Sequence, residues 1–226
     1  MNDILQLSAI YNPYTLNIFS DASYKGHTTN NAAYAVACIC QDTLIDEISR
    51  PSSNGSIVTA EGKGIRTALS MANKYKNQYK SINIFSDSEI SVRAIKEYIY
   101  NWYYDPKRHA LINTSNKVAK NQDIYLECMD LLDLLGLSNC LVKVYHVKGH
   151  VSNNYNDISA AAGTFIRENN IKSHIDLNII RYICCYNDYV DKLANQTRIK
   201  YNRDKNTFNN PIKFVATEKI VKKYNI

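Results

Sequence analysis

The sequence lacks any long apolar run. A membrane span needs about 18 or more consecutive apolar residues, and no stretch of the 226 residues comes close to this length. Residues 1–13 also lack the basic segment followed by an apolar segment that is typical of an export signal. We therefore expect a soluble, cytoplasmic protein. Its 45% of apolar residues are enough for a substantial buried core.

The sequence also lacks the Cys-x-x-Cys spacing that zinc ribbons and redox motifs require. We therefore expect buried, reduced thiols that bind no metal. The six cysteines are Cys38, Cys40, Cys128, Cys140, Cys184 and Cys185.

Acidic residues are scarce in three parts of the chain. Between residues 198 and 226, eight Lys or Arg face only Asp204 and Glu218, so this tail carries the whole net charge of +6. Two further basic clusters lie within residues 63–80 and 93–120. Such clusters favour a polyanion as the partner. The alternative is that they are the solvated faces of helices.

The apolar pattern predicts an α/β fold with a five-stranded mixed sheet flanked by helices. Short connections between the first three strands favour an antiparallel meander, and a longer connection allows the fourth strand to lie parallel to the first. The predicted strands span residues 16–20, 32–41, 43–49, 81–86 and 141–147. The predicted helices span about 59–75, 88–100 and 123–135, with further helix to about residue 200.

The pentapeptide Asn-Ile-Phe-Ser-Asp occurs twice, at residues 17–21 and 83–87, each time at the end of a predicted strand. Parallel neighbours end at the same edge of a sheet, which places Asp21 beside Asp87. Two adjacent carboxylates repel each other, and a divalent metal ion relieves that repulsion. The alternative is that each Asp is only a helix cap or turn residue.

Glu61 supplies a third carboxylate. We expect it in the first turn of the helix that follows the third strand, where it can face the same edge of the sheet. Three carboxylates from three separate elements form the set of hard oxygen donors that magnesium and manganese prefer.

Together with further motifs downstream, these residues resemble ribonuclease H of type 1. Each fragment is short, but all of them follow one another in the order found in that family, over residues 16–195. The fragments are Asp21-Ala22-Ser23, Thr59-Ala60-Glu61, Asp87-Ser88, Val147-Lys148-Gly149-His150 and Asp191-Lys192-Leu193-Ala194.

The resemblance implies a ribonuclease H-like fold and an endonuclease that hydrolyses the RNA strand of RNA·DNA hybrids, leaving 5′-phosphate and 3′-hydroxyl ends. It implies two Mg²⁺ ions, or Mn²⁺ in their place, and a role for His150 in proton movement or product release. A monomer with the hybrid as its partner is expected. The implied metal ligands are Asp21, Glu61, Asp87 and Asp191.

The resemblance also suggests which residues bind the substrate. Residues 102–123 are similar to a basic protrusion that grips the DNA strand in some family members, although its aromatic residues can instead anchor the loop on the core. Serines near the predicted site can hydrogen-bond a hydroxyl or a phosphate, although loop serines commonly form turns. These candidates are Ser23, Ser56, Ser88, Trp102, Lys107, Arg108, Lys117 and Lys120.

One departure from the family pattern is an insertion over about residues 153–186, which we expect to be helical. It separates His150 from Asp191 by many more residues than the family has, so Asp157 and Asp188 stay open as alternative fourth ligands. We expect a catalytic domain over residues 1–200 and a basic tail over residues 201–226.

Two other functions are compatible with this fold. One is a hybrid- or duplex-binding module without catalysis, for which a lost carboxylate would be the signature. The other is a DNA-directed nuclease similar to resolvases or transposases, against which the Lys148-Gly149-His150 loop argues.

Overall fold

The computed structural model describes residues 10–25, 31–52, 56–172 and 174–203. Its main sheet has five strands in the order β3-β2-β1-β4-β7, and a separate two-stranded sheet consists of β5 and β6. The strands are β1 (Thr15–Lys25), β2 (Asn31–Cys40), β3 (Thr43–Ser52), β4 (Ser81–Ser86), β5 (Tyr103–Asp105), β6 (Ala110–Ile112) and β7 (Leu141–His146).

Strand β1 is the centre of the main sheet. It pairs antiparallel with β2 on one side and parallel with β4 on the other, and β4 pairs parallel with β7. The predicted five-stranded mixed sheet is therefore confirmed. The register aligns the two copies of the repeated pentapeptide, from Asn17 opposite Asn83 to Ser20 opposite Ser86.

Helices cover both faces of the sheet and bury two apolar cores. Helices α1 and α3 pack on one face around Ile18, and helices α4 and α5 pack on the other face around Phe19. Successive strand residues point to opposite faces of a sheet, so Ile18 packs into one core and Phe19 into the other. The helices are α1 (Ile57–Tyr75), α2 (Glu89–Arg93), α3 (Gln122–Gly136), α4 (Tyr155–Glu168) and α5 (Leu177–Arg203).

Helix α2 continues through a π-helical turn over Ala94–Tyr98 and a 3-10 turn over Ile99–Asn101. The predicted helix at residues 88–100 is thus one helical segment with a tightened end. The β5–β6 hairpin that follows it was not predicted, because its strands have only three residues each, too few for a periodic pattern.

Two predicted boundaries near the site are wrong. Strand β1 continues past Ser20 to Lys25, because its antiparallel pairing with β2 outlasts its parallel pairing with β4. Helix α1 begins at Ile57, where the Ser56 side chain accepts a hydrogen bond from the backbone N–H of Thr59. Glu61 therefore lies in the second turn of α1 and not in its first.

The helical insertion is present. Helix α4 lies within the segment 153–186 that was expected to be helical, and the rest of this segment leads into α5, which carries Asp191. None of the six cysteines forms a disulfide, and five of them are buried, whereas Cys40 at the end of β2 is half-buried. In the part of the chain that the structure describes, no helix is both long and apolar enough to span a bilayer. Of the predicted basic tail, residues 204–226 lie outside the described residues.

Candidate active site

Asp21 and Asp87 lie together where the parallel pairing of β1 and β4 ends, each one residue beyond the last aligned pair. Asp21 is buried, and its Oδ1 accepts a hydrogen bond of 2.6 Å from the backbone N–H of Ala22. Burial, followed by the nearby charge of Asp87, raises the pKa of Asp21 well above its ordinary value. The predicted meeting of the two carboxylates is therefore present in the structure.

Glu61 reaches the same place from helix α1. The hydroxyl of Ser88 donates a hydrogen bond of 2.7 Å to Oε2 of Glu61. Burial raises the pKa of Glu61, the bond from Ser88 opposes this rise, and the charge of Asp87 adds to it. Asp87 thus interacts electrostatically with both Asp21 and Glu61.

Asp191 approaches from helix α5. Its pKa is raised by burial, and the charge of Asp87 adds to the rise while His150 opposes it. Nδ1 of His150 lies 3.8 Å from Oδ2 of Asp191, and 80% of the His150 side chain is exposed. His150 is therefore accessible to a substrate while it stays beside the carboxylates.

The two alternative carboxylates are engaged elsewhere. Asp188 forms an ion pair with Lys192, one turn further along α5. Asp157 is fully exposed in the first turn of α4 and accepts hydrogen bonds from Ser152 and Asn154. Burial and the charge of Asp87 both raise the pKa of Asp191, whereas hydrogen bonds from Ser152 and Asn154 lower the pKa of Asp157.

Gly149 brings the loop after β7 against Asp87. A Cβ atom on Gly149 would lie 2.3 Å from Oδ2 of Asp87, so any larger residue would force the Asp87 side chain or the loop to shift. The next residue, His150, has the left-handed backbone conformation with a φ of 53°, and such strain in a residue other than glycine is concentrated at functional sites. Gly149 thus lets the loop approach Asp87 closely, and His150 is the residue with the strained backbone.

This donor set fits a hard divalent cation. Asp87 interacts electrostatically with Asp21, Glu61 and Asp191, and burial together with this repulsion raises the pKa values of those three carboxyls. Carboxylate oxygens are the hard donors that such a cation prefers. Within residues 10–25, 31–52, 56–172 and 174–203, no group of three or more His, Cys, Asp or Glu side chains could hold a metal ion as the side chains stand in this structure.

The three candidate serines have protein partners. Ser23 accepts a hydrogen bond of 3.0 Å from Nε of Arg198, and Ser56 caps helix α1. Ser88 is buried, caps α2 and donates to Glu61. Because its proton is directed at Glu61, Ser88 orients a carboxylate in this structure.

The protrusion presents basic side chains and tyrosines to solvent. Trp102 is half-buried and packs edge-on against Tyr125, with ring centroids 5.6 Å apart, so it anchors the hairpin on the core. Tyr103 and Tyr104 are more than half exposed and offer flat rings for base stacking. The exposed cations are Lys107, Arg108, Lys117 and Lys120.

Three residues near the site, His146, Glu168 and Asn169, were not predicted from the sequence. The ring of His146 contacts the backbone carbonyl of Asp87, and Glu168 and Asn169 both contact His146. The position of His146 at the end of β7, directly before the Val147-Lys148-Gly149-His150 loop, was a usable signal. Nothing in the sequence links the other two to the site, because they lie in the insertion.

Comparisons with known proteins agree with this architecture. A sequence profile of the RNase H family matches residues 13–164, which include Asp21, Glu61, Asp87 and His150 and end before Asp191. No curated protein sequence matches the chain.

Among solved structures, the foamy viral protease-reverse transcriptase in complex with an RNA/DNA hybrid is similar over 84% of this chain and 20% of its own, with 15% identity and a TM-score of 0.52. This chain therefore spans about a fifth of that protein. The solution structure of the PFV RNase H domain is similar over 82% of this chain and 94% of its own, with 16% identity and a TM-score of 0.50. The N-terminal RNase H domain of Rv2228c from Mycobacterium tuberculosis covers 85% of this chain and is itself covered to 99%, with 13% identity and a TM-score of 0.48.

Proposed function

This chain belongs to the RNase H family, and we propose that it hydrolyses the RNA strand of RNA·DNA hybrids with two bound divalent cations, Mg²⁺ or Mn²⁺, leaving 5′-phosphate and 3′-hydroxyl ends. The observation that carries the proposal is the interaction of the buried Asp21 with the partly buried Asp87, which also interacts with Glu61 and Asp191. Such a concentration of carboxylates costs stability unless a cation compensates it.

Each residue of the site has a distinct task. Asp21, on the central strand, and Asp87 would hold the cations from the sheet, and Glu61 and Asp191 would hold them from the two helices that cover its faces. The chemistry that bound cations would supply here is activation of a water and stabilisation of the leaving 3′ oxygen. His150 moves a proton at the leaving oxygen or assists release of the product, since its ring is exposed and 3.8 Å from Asp191.

Substrate binding is assigned to surfaces around this site. The exposed basic side chains of the protrusion contact phosphates of the DNA strand, and Tyr103 and Tyr104 stack on bases or sugars. Ser23 and Ser56 contact the hybrid near the carboxylates, where a 2′-hydroxyl distinguishes RNA from DNA.

The choice of substrate is tested with three duplexes of one sequence: an RNA·DNA hybrid, a duplex DNA and a duplex RNA, each labelled on either strand. In Mg²⁺ the protein should cut only the RNA strand of the hybrid. Extension of the products by a DNA polymerase without prior phosphatase treatment checks for 3′-hydroxyl ends. Cleavage of duplex DNA would favour a DNA-directed nuclease, and binding without cleavage of any duplex would favour a non-catalytic module.

A further inference from the structure

A path of hydrogen bonds leads from the insertion to Asp87. Nε2 of His146 lies 3.1 Å from the backbone carbonyl oxygen of Asp87, and Nδ1 of the same ring contacts Oε2 of Glu168. A carbonyl oxygen can only accept, so Nε2 carries the hydrogen and donates to Asp87. An ionised carboxylate also can only accept, so in this arrangement Nδ1 carries a hydrogen as well and donates it to Glu168, which fixes the ring from its other side.

Asn169 holds the end of helix α4 against the last strand. Its side-chain oxygen accepts a bond of 3.0 Å from the backbone N–H of His146, and its side-chain nitrogen donates at 2.8 Å to the carbonyl of the same residue. This amide thus pairs with the free edge of β7 as another strand would. The helix end that carries Glu168 is therefore fixed relative to His146.

Asp87 is the first residue of its chain segment beyond the paired part of the sheet. The pairing of β4 with β7 ends at Ser86 opposite His146, and the last bond of this edge runs from the N–H of Val147 to the carbonyl of Ser86 at 3.0 Å. The carbonyl of Asp87 lies one residue further on and accepts a hydrogen bond from the imidazole of His146. The side chain of Asp87 lies close to Gly149. The residue is thus held from both sides.

We propose that His146 and Glu168 are positioning residues that fix the backbone of Asp87, so that the helical insertion supports the catalytic centre. The proposal rests on the function proposed above for the carboxylate site. Under this proposal the insertion supports Asp87, a role that the sequence did not suggest. Helix α4 acts on Asp87 through the ring of His146, and the residues of α4 themselves stay outside the site.

The test compares pairs of variants at each position. His146→Leu removes the donor to Asp87, whereas His146→Gln keeps an amide N–H near the place of Nε2. We expect His146→Leu to lower kcat and to raise the half-saturating Mg²⁺ concentration, each by about tenfold, with the KM for the hybrid within about twofold. Gln should restore most of both losses.

Glu168 acts one step further from Asp87, so its variants should show the same pattern with smaller changes. Glu168→Ala should lower kcat by about threefold, and Glu168→Gln should retain near wild-type values because it keeps an acceptor for the ring. Equal losses of activity in Glu168→Ala and Glu168→Gln, or a change confined to KM, would overturn the proposal.

A loss of helix stability is separated from a loss of positioning by Gly163, an exposed glycine of the same helix. A Cβ atom at Gly163 meets nothing within 4 Å, so Gly163→Ala strengthens α4 without touching the path. Added to Glu168→Ala, it should restore the melting temperature and leave kcat low. Recovery of kcat together with stability would show that Glu168 is merely structural.

Mg²⁺ binding is also measured without cleavage, from the rise in melting temperature during a Mg²⁺ titration. If the wild type binds Mg²⁺ and does not cut the hybrid, the proposed function fails, and the positioning role is then decided by whether His146→Leu weakens Mg²⁺ binding by about tenfold. A wild type that neither binds Mg²⁺ nor cuts the hybrid would contradict both proposals.

Discussion

Gly149 and Asp87 are so close that a Cβ atom on the glycine would lie 2.3 Å from Oδ2 of the aspartate. Asp87 in turn interacts electrostatically with Asp21, Glu61 and Asp191. The loop after β7 therefore sets the position of the carboxylate that is common to all of these interactions.

Gly149→Ala should reduce cleavage because the new methyl group must displace either the loop or Asp87. We expect kcat to fall by about tenfold or more, as is usual when the support of a metal ligand is disturbed, with little change in the KM for the hybrid. Steady-state kinetics on a labelled hybrid measure both constants. Gly163→Ala is the matched control, because it adds the same methyl group in open space. A fully active Gly149→Ala variant would show that this contact does not matter.

Asp21→Asn should stabilise the metal-free protein while it abolishes cleavage. The neutral amide of Asn needs neither a buried charge beside Asp87 nor the uptake of a proton on folding, so the variant avoids the penalty that raises the pKa of Asp21. The melting temperature in EDTA should rise by about 2–4 °C for each kcal/mol of relieved repulsion, and added Mg²⁺ should stabilise the variant less than the wild type. An equal Mg²⁺-induced shift in both proteins would argue against Asp21 as a ligand.

Stability of the metal-free wild type should fall as the pH rises above about 4. The folded-state pKa of Asp21 is raised above its ordinary value of 3.8, so the folded protein keeps a proton that the unfolded chain releases. This contribution is complete below the ordinary pKa and is lost as the pH rises toward the raised pKa. Urea unfolding in EDTA at several pH values measures it, and Asp21→Asn should flatten the decline. Asp157→Asn is the control with the opposite sign, because hydrogen bonds from Ser152 and Asn154 lower the pKa of Asp157.

The fourth carboxylate is identified by three single substitutions. Asp191→Asn should abolish cleavage, whereas Asp188→Asn and Asp157→Asn should keep most of the activity, because these two residues pair with Lys192 and with Ser152. Activity in Mg²⁺ and Mg²⁺-induced thermal shifts give independent readouts. An inactive Asp188→Asn beside an active Asp191→Asn would reverse the assignment.

Removing three exposed lysines of the protrusion should weaken binding of the hybrid without affecting the chemical step. The triple variant Lys107→Ala, Lys117→Ala and Lys120→Ala should raise KM and leave kcat nearly unchanged. The slope of log K against log salt should decrease by up to about 0.9 for each lost phosphate contact. Lys76→Ala is the control, because it removes a cation beyond the C-terminal end of α1, far from Glu61. An unchanged slope in the triple variant would remove the protrusion from the binding surface.

The sheet and the carboxylate edge were predictable from the sequence because both follow from local patterns. The repeated pentapeptide contains both the buried strand and the acid that follows it, and the crossover rule places the two copies side by side. The positions of β1 and α1 relative to Asp21 and Glu61 were less accurate. Strand pairing and helix capping, which decide these boundaries, depend on partners far along the chain.

The contacts around the carboxylates were beyond sequence reasoning. For Trp102 the sequence left both substrate stacking and anchoring on the core open, and it did not identify Tyr125, 23 residues away in the sequence, as the packing partner. The contact of Glu168 with His146 joins residues 22 positions apart and depends on where helix α4 ends. Such pairings arise from tertiary packing, and no periodicity or motif contains them.

The most direct test of the proposed site compares the wild type with Asp87→Asn on one labelled RNA·DNA hybrid, with cleavage measured in Mg²⁺ and binding measured in EDTA. The account predicts that the wild type cuts the RNA strand, whereas Asp87→Asn folds, binds the hybrid with similar affinity and does not cut it. Continued cleavage by a folded Asp87→Asn variant would contradict the account, because the carboxylate that links the other three would then be dispensable.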